Sequence, residues 1–155
     1  MKKRVLSFLF IITLFSLTAV SASAVVNDTL KVGIRWGDTA LEAANLENAM
    51  GSGYEFGYYD EDREFVYLDE TDENTITMQA SGSGNDVTVT ETRSGEVLFQ
   101  FRDNGYCLGI RPMGRHTETW CKGYKYPGGF EYRCNADSTL TVINVVDIED
   151  YVKGV

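Results

Sequence analysis

The chain has 155 residues, a length that suits one domain with at most a small addition. Its formal net charge is −9, from 14 basic and 23 acidic residues, which argues against nucleic acid and against a polybasic membrane-surface patch. Hydrophobic residues make up 43%, so wholesale disorder is excluded, while 15 Gly, nine Tyr and eight Phe favour β-structure with tight turns.

The first 24 residues have the pattern of a secretory signal peptide. A basic start at 1–4 precedes an apolar run over 5–20, and the small residues Ala22 and Ala24 suit a signal peptidase. A permanent membrane anchor is the alternative, but the run is shorter than the ~20 residues that a spanning helix needs. We therefore predict a signal-peptide helix, cleavage after Ala24, and a secreted, extracytoplasmic protein with no membrane span after cleavage.

Two elements are predicted next along the chain. Residues 30–36 alternate between apolar and polar or small side chains, which indicates a β-strand. Residues 39–50 are rich in Ala, Leu and Glu, and Thr39 with Glu42 has the spacing of a capping box. Because Gly51 suits the end of a helix, the pattern predicts a helix over 39–50.

Six short segments separated by turn residues then predict β-strands, at 54–59, 64–68, 75–79, 87–92, 96–101 and 106–110. One strand and one turn occupy about ten residues, a spacing that favours an antiparallel sheet or a sandwich. We therefore predict an α+β fold with a mainly antiparallel β-sheet and few short helices.

Residues 117–126 and 130–134 predict a hairpin around Pro127 and Gly128. A two-residue loop would set Cys121 opposite Cys134 and allow a disulfide, whereas a longer loop would leave both as free thiols. The chain has three cysteines, so at least one, such as Cys107, has no partner within the chain. The cysteine spacing and the single histidine match no common zinc motif, and we predict neither a metal nor a cofactor.

The same hairpin is rich in aromatic residues. Trp120, Tyr124 and Tyr126 are candidates for stacking on sugar rings. The alternative is that half of the hairpin's aromatic residues point into a core, because side chains alternate between the two faces of a strand.

The last segment predicts a strand over 139–146 and then a helix. Asp147 suits the N-cap, with Asp150 three residues later, and the apolar residues that follow fall on one helix face. Because that face has only begun at Val155, we expect that the natural protein continues beyond it.

Residues 140–155 resemble the signature of the SpoIID/LytB domain family, with Asn144, Glu149, Tyr151, Gly154 and Val155 in the motif positions. Three further segments are similar to such proteins, at 120–132, 30–37 and 53–60. The family places an extended segment where the local pattern predicts the helix over 39–50.

The resemblance implies work at the cell wall. SpoIID proteins are lytic transglycosylases that cleave peptidoglycan glycan strands in spore formation, and LytB-type relatives enhance a wall amidase. The family's catalytic glutamate follows the Gly-Val pair, so Glu149 is not that acid, and no residue of this chain is predicted to be catalytic. We therefore expect the chain to be inactive alone, with glycan strands and a wall amidase as partners of the parent protein. Alternatives are a non-enzymatic peptidoglycan-binding module and a secreted structural domain.

Overall fold

The computed structural model describes residues 28–114 and 119–153. The predicted signal-peptide helix, His116, Gly154 and Val155 lie outside these residues. The described residues form twelve strands, a 3₁₀ turn at Gly37–Thr39 and one short α-helix, α1 (Ile148–Lys153). The strands are β1 (Thr29–Arg35), β2 (Ala44–Glu47), β3 (Tyr54–Tyr59), β4 (Phe65–Thr71), β5 (Thr75–Ala80), β6 (Val87–Glu91), β7 (Val97–Phe101), β8 (Leu108–Pro112), β9 (Thr119–Cys121), β10 (Tyr124–Tyr126), β11 (Gly129–Cys134) and β12 (Leu140–Asp147).

The strands form two six-stranded sheets in which every pairing is antiparallel. The first sheet has the order β1-β12-β11-β8-β3-β4, and the second has the order β10-β9-β2-β5-β6-β7. Alternate residues of both sheets enter one shared hydrophobic core. Phe56 of β3 stacks on Phe99 of β7, with ring centroids 5.0 Å apart, so the sheets pack face to face.

The predicted antiparallel β-structure is confirmed, but the predicted helix over 39–50 is wrong. That segment contains β2, where Ala44 and Leu46 are buried and Asn45 and Glu47 are exposed. The Thr39 hydroxyl donates to the Trp36 carbonyl oxygen within the 3₁₀ turn instead of capping a helix. Because β2 fills the position between β9 and β5, burial of its alternating apolar residues outweighs the local helix propensity.

The predicted hairpin over 117–134 is also wrong. The chain turns earlier, at Lys122 and Gly123, whose φ angles of 50° and 84° are both positive, as a type I′ turn requires. Cys121 therefore pairs with Tyr124 in the second sheet, while Cys134 pairs with Leu140 in the first. The register that motivated a Cys121–Cys134 disulfide does not form, and both thiols are free.

The strand predicted over 139–146 and the helix predicted after it are confirmed, as β12 and α1. Strand β12 lies between β1 and β11, and its β-branched residues pack on both sides of the first sheet. The Asp147 carboxylate caps α1, because Oδ1 accepts hydrogen bonds from the backbone N–H groups of Glu149 (2.8 Å) and Asp150 (3.3 Å).

Candidate functional site

The outward face of the first sheet carries a large aromatic side chain over small residues. Tyr59 is only 8% exposed although it points away from the core. A Cβ atom added to Gly109 would lie 3.1 Å from the Tyr59 ring, and one added to Gly129 would collide with the Tyr59 hydroxyl. The two glycines therefore create the space that the Tyr59 ring fills.

An ion pair with a buried carboxylate lies beside this tyrosine. Glu131 is 4% exposed and pairs with the Lys31 ammonium group, which also lies 5.7 Å from the centre of the Tyr59 ring. Burial is the main cause of a raised pKa for the Tyr59 hydroxyl, which therefore stays protonated at neutral pH. Because the Glu131 carboxylate is buried, it depends on the Lys31 ammonium group as its charge partner.

The turn after β10 is held against β12 by Asn144. The Asn144 side-chain amide donates to the carbonyl oxygens of Pro127 and Gly129, both at 2.9 Å. Gly128 has φ 77° and approaches the Val145 backbone so closely that a Cβ atom would collide with it. Asn144 is 4% exposed, so it fixes this turn from inside the sandwich.

A cleft of about 550 Å³ opens between this turn, the β3–β4 turn and the start of α1. The Arg63 guanidinium crosses from the β3–β4 turn to donate to the Thr29 carbonyl oxygen at 2.6 Å. Arg111 donates to the Glu55 carboxylate at 2.6 Å and lies 4.6 Å from the centre of the Phe65 ring. The cleft is lined by polar and charged groups together with these aromatic edges, among them Tyr59, Arg63, Glu64, Phe65, Arg111, Asp147 and Asp150.

A smaller apolar cleft of about 210 Å³ lies on the other side of the same turn. Val32 and Ile34 of β1 form one wall, and Tyr126 and Tyr151 flank the opening. The residues between the two clefts are the braced turn and Asp150, which lines both. The mixed polar and apolar surface is suited to a ligand that has hydroxyl groups and apolar faces.

Among the predicted motif residues, some stabilise the fold and others lie at the surface. Asn144 is buried and braces the turn, and Tyr151 lines the smaller cleft. Glu149 is exposed in the first turn of α1 and lines neither cleft. Gly154 and Val155 are outside the described residues.

The three aromatic residues predicted to contact glycan do not share one surface. Trp120 is opposite Lys125, whereas Tyr124 is opposite Cys121 and Tyr126 is opposite Thr119. Because opposed residues of an antiparallel pair point to the same side, Trp120 lies on the opposite face of the ribbon from the two tyrosines. Tyr126 packs edge-on against Phe130, with ring centroids 6.1 Å apart, so it belongs partly to the core.

The cysteines are poor nucleophiles in this environment. Burial raises the pKa of the Cys107 and Cys121 thiols, and it raises the pKa of the Cys134 thiol to about 11. All three are therefore thiols rather than thiolates near neutral pH. Across residues 28–114 and 119–153, no group of three or more His, Cys, Asp or Glu side chains is arranged to hold a metal ion. Nor does this part of the chain contain a helix long and apolar enough to cross a membrane.

The sequence alone does not identify the residues at the larger cleft or beside it. Tyr59 and Arg111 line the cleft, and the Lys31–Glu131 pair lies next to Tyr59. These four residues come from four different strands, and only the strand order brings them together. A partial signal was present, since Glu131 interrupts an otherwise aromatic run, and a carboxylate inside such a run needs a cationic partner.

No protein-family model, curated protein or solved structure matches the chain. Any family assignment therefore depends on the motif residues themselves.

Proposed function

We propose that the chain is an exported cell-wall protein, similar to SpoIID/LytB domains, that engages peptidoglycan glycan strands. In this proposal the parent protein cleaves the strands as a lytic transglycosylase or enhances a wall amidase, in spore formation or in related wall remodelling. The residues of this chain would supply binding and positioning rather than the catalytic acid.

One observation carries the proposal. The two segments with the most specific resemblance, 120–132 and 140–155, meet at the Asn144 side chain, which bonds to the carbonyl oxygens of Pro127 and Gly129. This junction forms the boundary between the two clefts. The motif asparagine thus has a physical role that places the start of α1 next to the braced turn.

The larger cleft has groups that suit a glycan. Arg111 and Arg63 offer donors to hydroxyl, amide or carboxylate oxygens, and Phe65 and Tyr59 add aromatic surface to the lining of the cleft. Three carboxylates line the cleft, those of Glu64, Asp147 and Asp150. Asp147 accepts the helix N–H groups, and Asp150 lies 3.6 Å from Lys153. With two of the three engaged at the start of α1, the arrangement favours binding over acid–base chemistry, which supports the non-enzymatic wall-binding module as the second candidate.

Sedimentation with insoluble peptidoglycan tests the proposal. We expect the purified protein to co-sediment with the wall, and Arg111→Ala to weaken binding about three- to tenfold, the loss of roughly one solvent-exposed hydrogen bond. Arg93→Ala changes another exposed arginine, far from the cleft in the sequence, and should leave binding unchanged. A protein that stays in the supernatant contradicts the proposal.

Two activity assays distinguish lytic cleavage of glycan strands from enhancement of a wall amidase. Release of anhydromuropeptides by the purified chain would assign cleavage to these residues, against our expectation that it releases none. An increase in the rate of an added wall amidase, lost in Arg111→Ala, would favour the enhancer.

A further inference from the structure

The outward residues of three neighbouring strands in the second sheet, β2, β5 and β6, are polar and almost uncharged. The outward residues of β2, β5 and β6 are Asn45, Glu47, Thr75, Thr77, Gln79, Thr88 and Thr90. Glu47 is the single carboxylate in this set, although the whole chain carries 23 acidic residues. The Thr77 and Thr92 hydroxyls lie 3.0 Å apart, so these two neighbouring side chains bond to each other on a face made of hydroxyl and amide groups.

One large aromatic residue stands at the end of this face. Trp120 is opposite Glu47, 37% exposed, and held in place by the Lys125 ammonium group 5.2 Å from its ring centre. Beside it lies a depression of about 300 Å³, lined by Asn45, Glu47, Thr75, Thr92, Trp120 and Lys122 among others. We call this depression the Trp120 site.

We infer that the Trp120 site binds a glycan chain, with one pyranose ring stacked on the indole and its hydroxyls bonded by Asn45, Glu47 and Thr92. A sugar ring has an apolar C–H face and a rim of hydroxyls, and the site offers an aromatic face beside amide, carboxylate and hydroxyl groups. The threonines and Gln79 extend the same hydrogen-bonding surface to further sugars along the chain.

The chemistry of the face favours a glycan over a protein partner. A protein interface buries about 800 Å² on each side around an apolar centre, whereas outward residues of β2, β5 and β6 are polar throughout. The depression is at the small end of ligand pockets, which suits one or two sugar rings. Lys122 and Lys125 outnumber Glu47 around the indole, so a glycan that carries carboxylates is not repelled.

The Trp120 site does not require the SpoIID/LytB resemblance, but the choice of peptidoglycan as its glycan rests on the proposed function. The site is also separate from the larger cleft, since one lies on the outward face of the second sheet and the other on that of the first.

Indole fluorescence tests the site directly. The chain has two tryptophans, so Trp36→Phe leaves Trp120 as the single indole. We expect a saturable emission change when this variant is titrated with β-1,4-linked N-acetylglucosamine oligomers or with soluble peptidoglycan strands. Trp120→Phe, which keeps Trp36, should give no change. A response that comes from Trp36 alone, or from neither indole, overturns the inference.

Sedimentation with insoluble chitin and peptidoglycan gives the second test. We expect Trp120→Ala to weaken binding at least tenfold and Trp120→Tyr to retain most of it. Tyr124→Ala removes a more exposed aromatic residue, 64% exposed on the other face of the ribbon, and should leave binding unchanged. Equal binding by Trp120→Ala and the unchanged protein overturns the inference.

These results also separate the inference from the proposed function. If the protein binds chitin through Trp120 but not peptidoglycan, the Trp120 site stands and the wall assignment fails. If it binds peptidoglycan through Arg111 and is indifferent to Trp120, the proposed function stands and the Trp120 site fails.

Discussion

The outward face of the first sheet buries part of its surface under a tyrosine, whereas the outward residues of β2, β5 and β6 in the second sheet are half-buried or exposed. On the first, Tyr59 covers Gly109 and Gly129, and the buried Glu131 carboxylate pairs with the more exposed Lys31. On the second, threonine, glutamine and asparagine point outward in rows. The inward faces of both sheets share one hydrophobic core, so that core stabilises both sheets alike and the contrast is confined to the outer surfaces.

Packing constraints on the outer surfaces of this molecule are therefore concentrated at the first face. A tight face tolerates few substitutions, because volume changes of one methyl group are felt in a packed environment. Substitutions on an open polar face change the stability of the fold little, but they can still weaken the binding of a ligand. Stability and binding measurements on matched variants therefore distinguish the two faces.

Gly129→Ala tests the tight face and should have the largest effect. The new Cβ atom would collide with the Tyr59 hydroxyl and lie 2.8 Å from the Ile110 carbonyl oxygen, which is backbone and cannot swing away. We expect a loss of about 2–3 kcal/mol in the free energy of unfolding, measured by urea denaturation. Gln79→Ala on the open face should change it by less than about 0.5 kcal/mol. Equal losses would remove the contrast.

Glu131→Gln tests the ion pair between the buried Glu131 and Lys31, with Glu47→Gln as the matched change on the open face. Loss of the carboxylate leaves the Lys31 ammonium group without its charge partner. Because the Lys31 side chain is 30% exposed and can reach water, we expect a loss of about 1–2 kcal/mol rather than the full cost of a buried unpaired charge. Glu47→Gln should leave the free energy of unfolding almost unchanged. A larger loss for Glu47→Gln than for Glu131→Gln would contradict the assignment of the stabilising ion pair to the first sheet.

Glu91, at the end of β6, provides a pH-dependent test at the second sheet. Backbone N–H donors from Arg93 and Ser94 lower the pKa of its carboxyl from 4.5 to about 2. A folded-state pKa below the unfolded value stabilises the fold above about pH 4.5, and this contribution is lost as the pH falls towards 2.

Glu91→Gln should therefore have a lower urea midpoint than the unchanged protein at pH 6, and the difference should shrink as the pH falls towards 2. A difference that is constant with pH would mean that the carboxylate charge does not contribute. The effect should be the smallest of the three, because the group is at the surface.

Local patterns predicted most strands, because a half-buried strand shows its alternation directly in the sequence. The two errors had different causes, one tertiary and one local. Residues 44–47 alternate like a strand within a helix-favouring composition, and only the place between β9 and β5 decides the outcome. The sequence pattern predicts the hairpin turn at Pro127 and Gly128, whereas the chain turns at Lys122 and Gly123. The local signal against the prediction is that proline does not suit the first position of a type I′ turn.

The candidate clefts were beyond sequence reasoning for a related reason. The Asn144 position was found through a motif, but its hydrogen bonds to the 127–129 turn depend on β11 and β12 being neighbours. The contacts around Tyr59 link residues far apart in the chain, and spacing along a sequence carries no information on such distances.

The β9–β10 ribbon joins β2 through one residue pair, Glu47 with Trp120, whereas four pairs join β2 to β5. So few cross-strand bonds allow this ribbon to open locally without global unfolding. Its amide protons should exchange with deuterium sooner than those of β5 and β6. A sugar that contacts both Trp120 of β9 and Asn45 of β2 would bridge the two strands and slow this exchange. Hydrogen–deuterium exchange of the backbone amides would then report on the bound state.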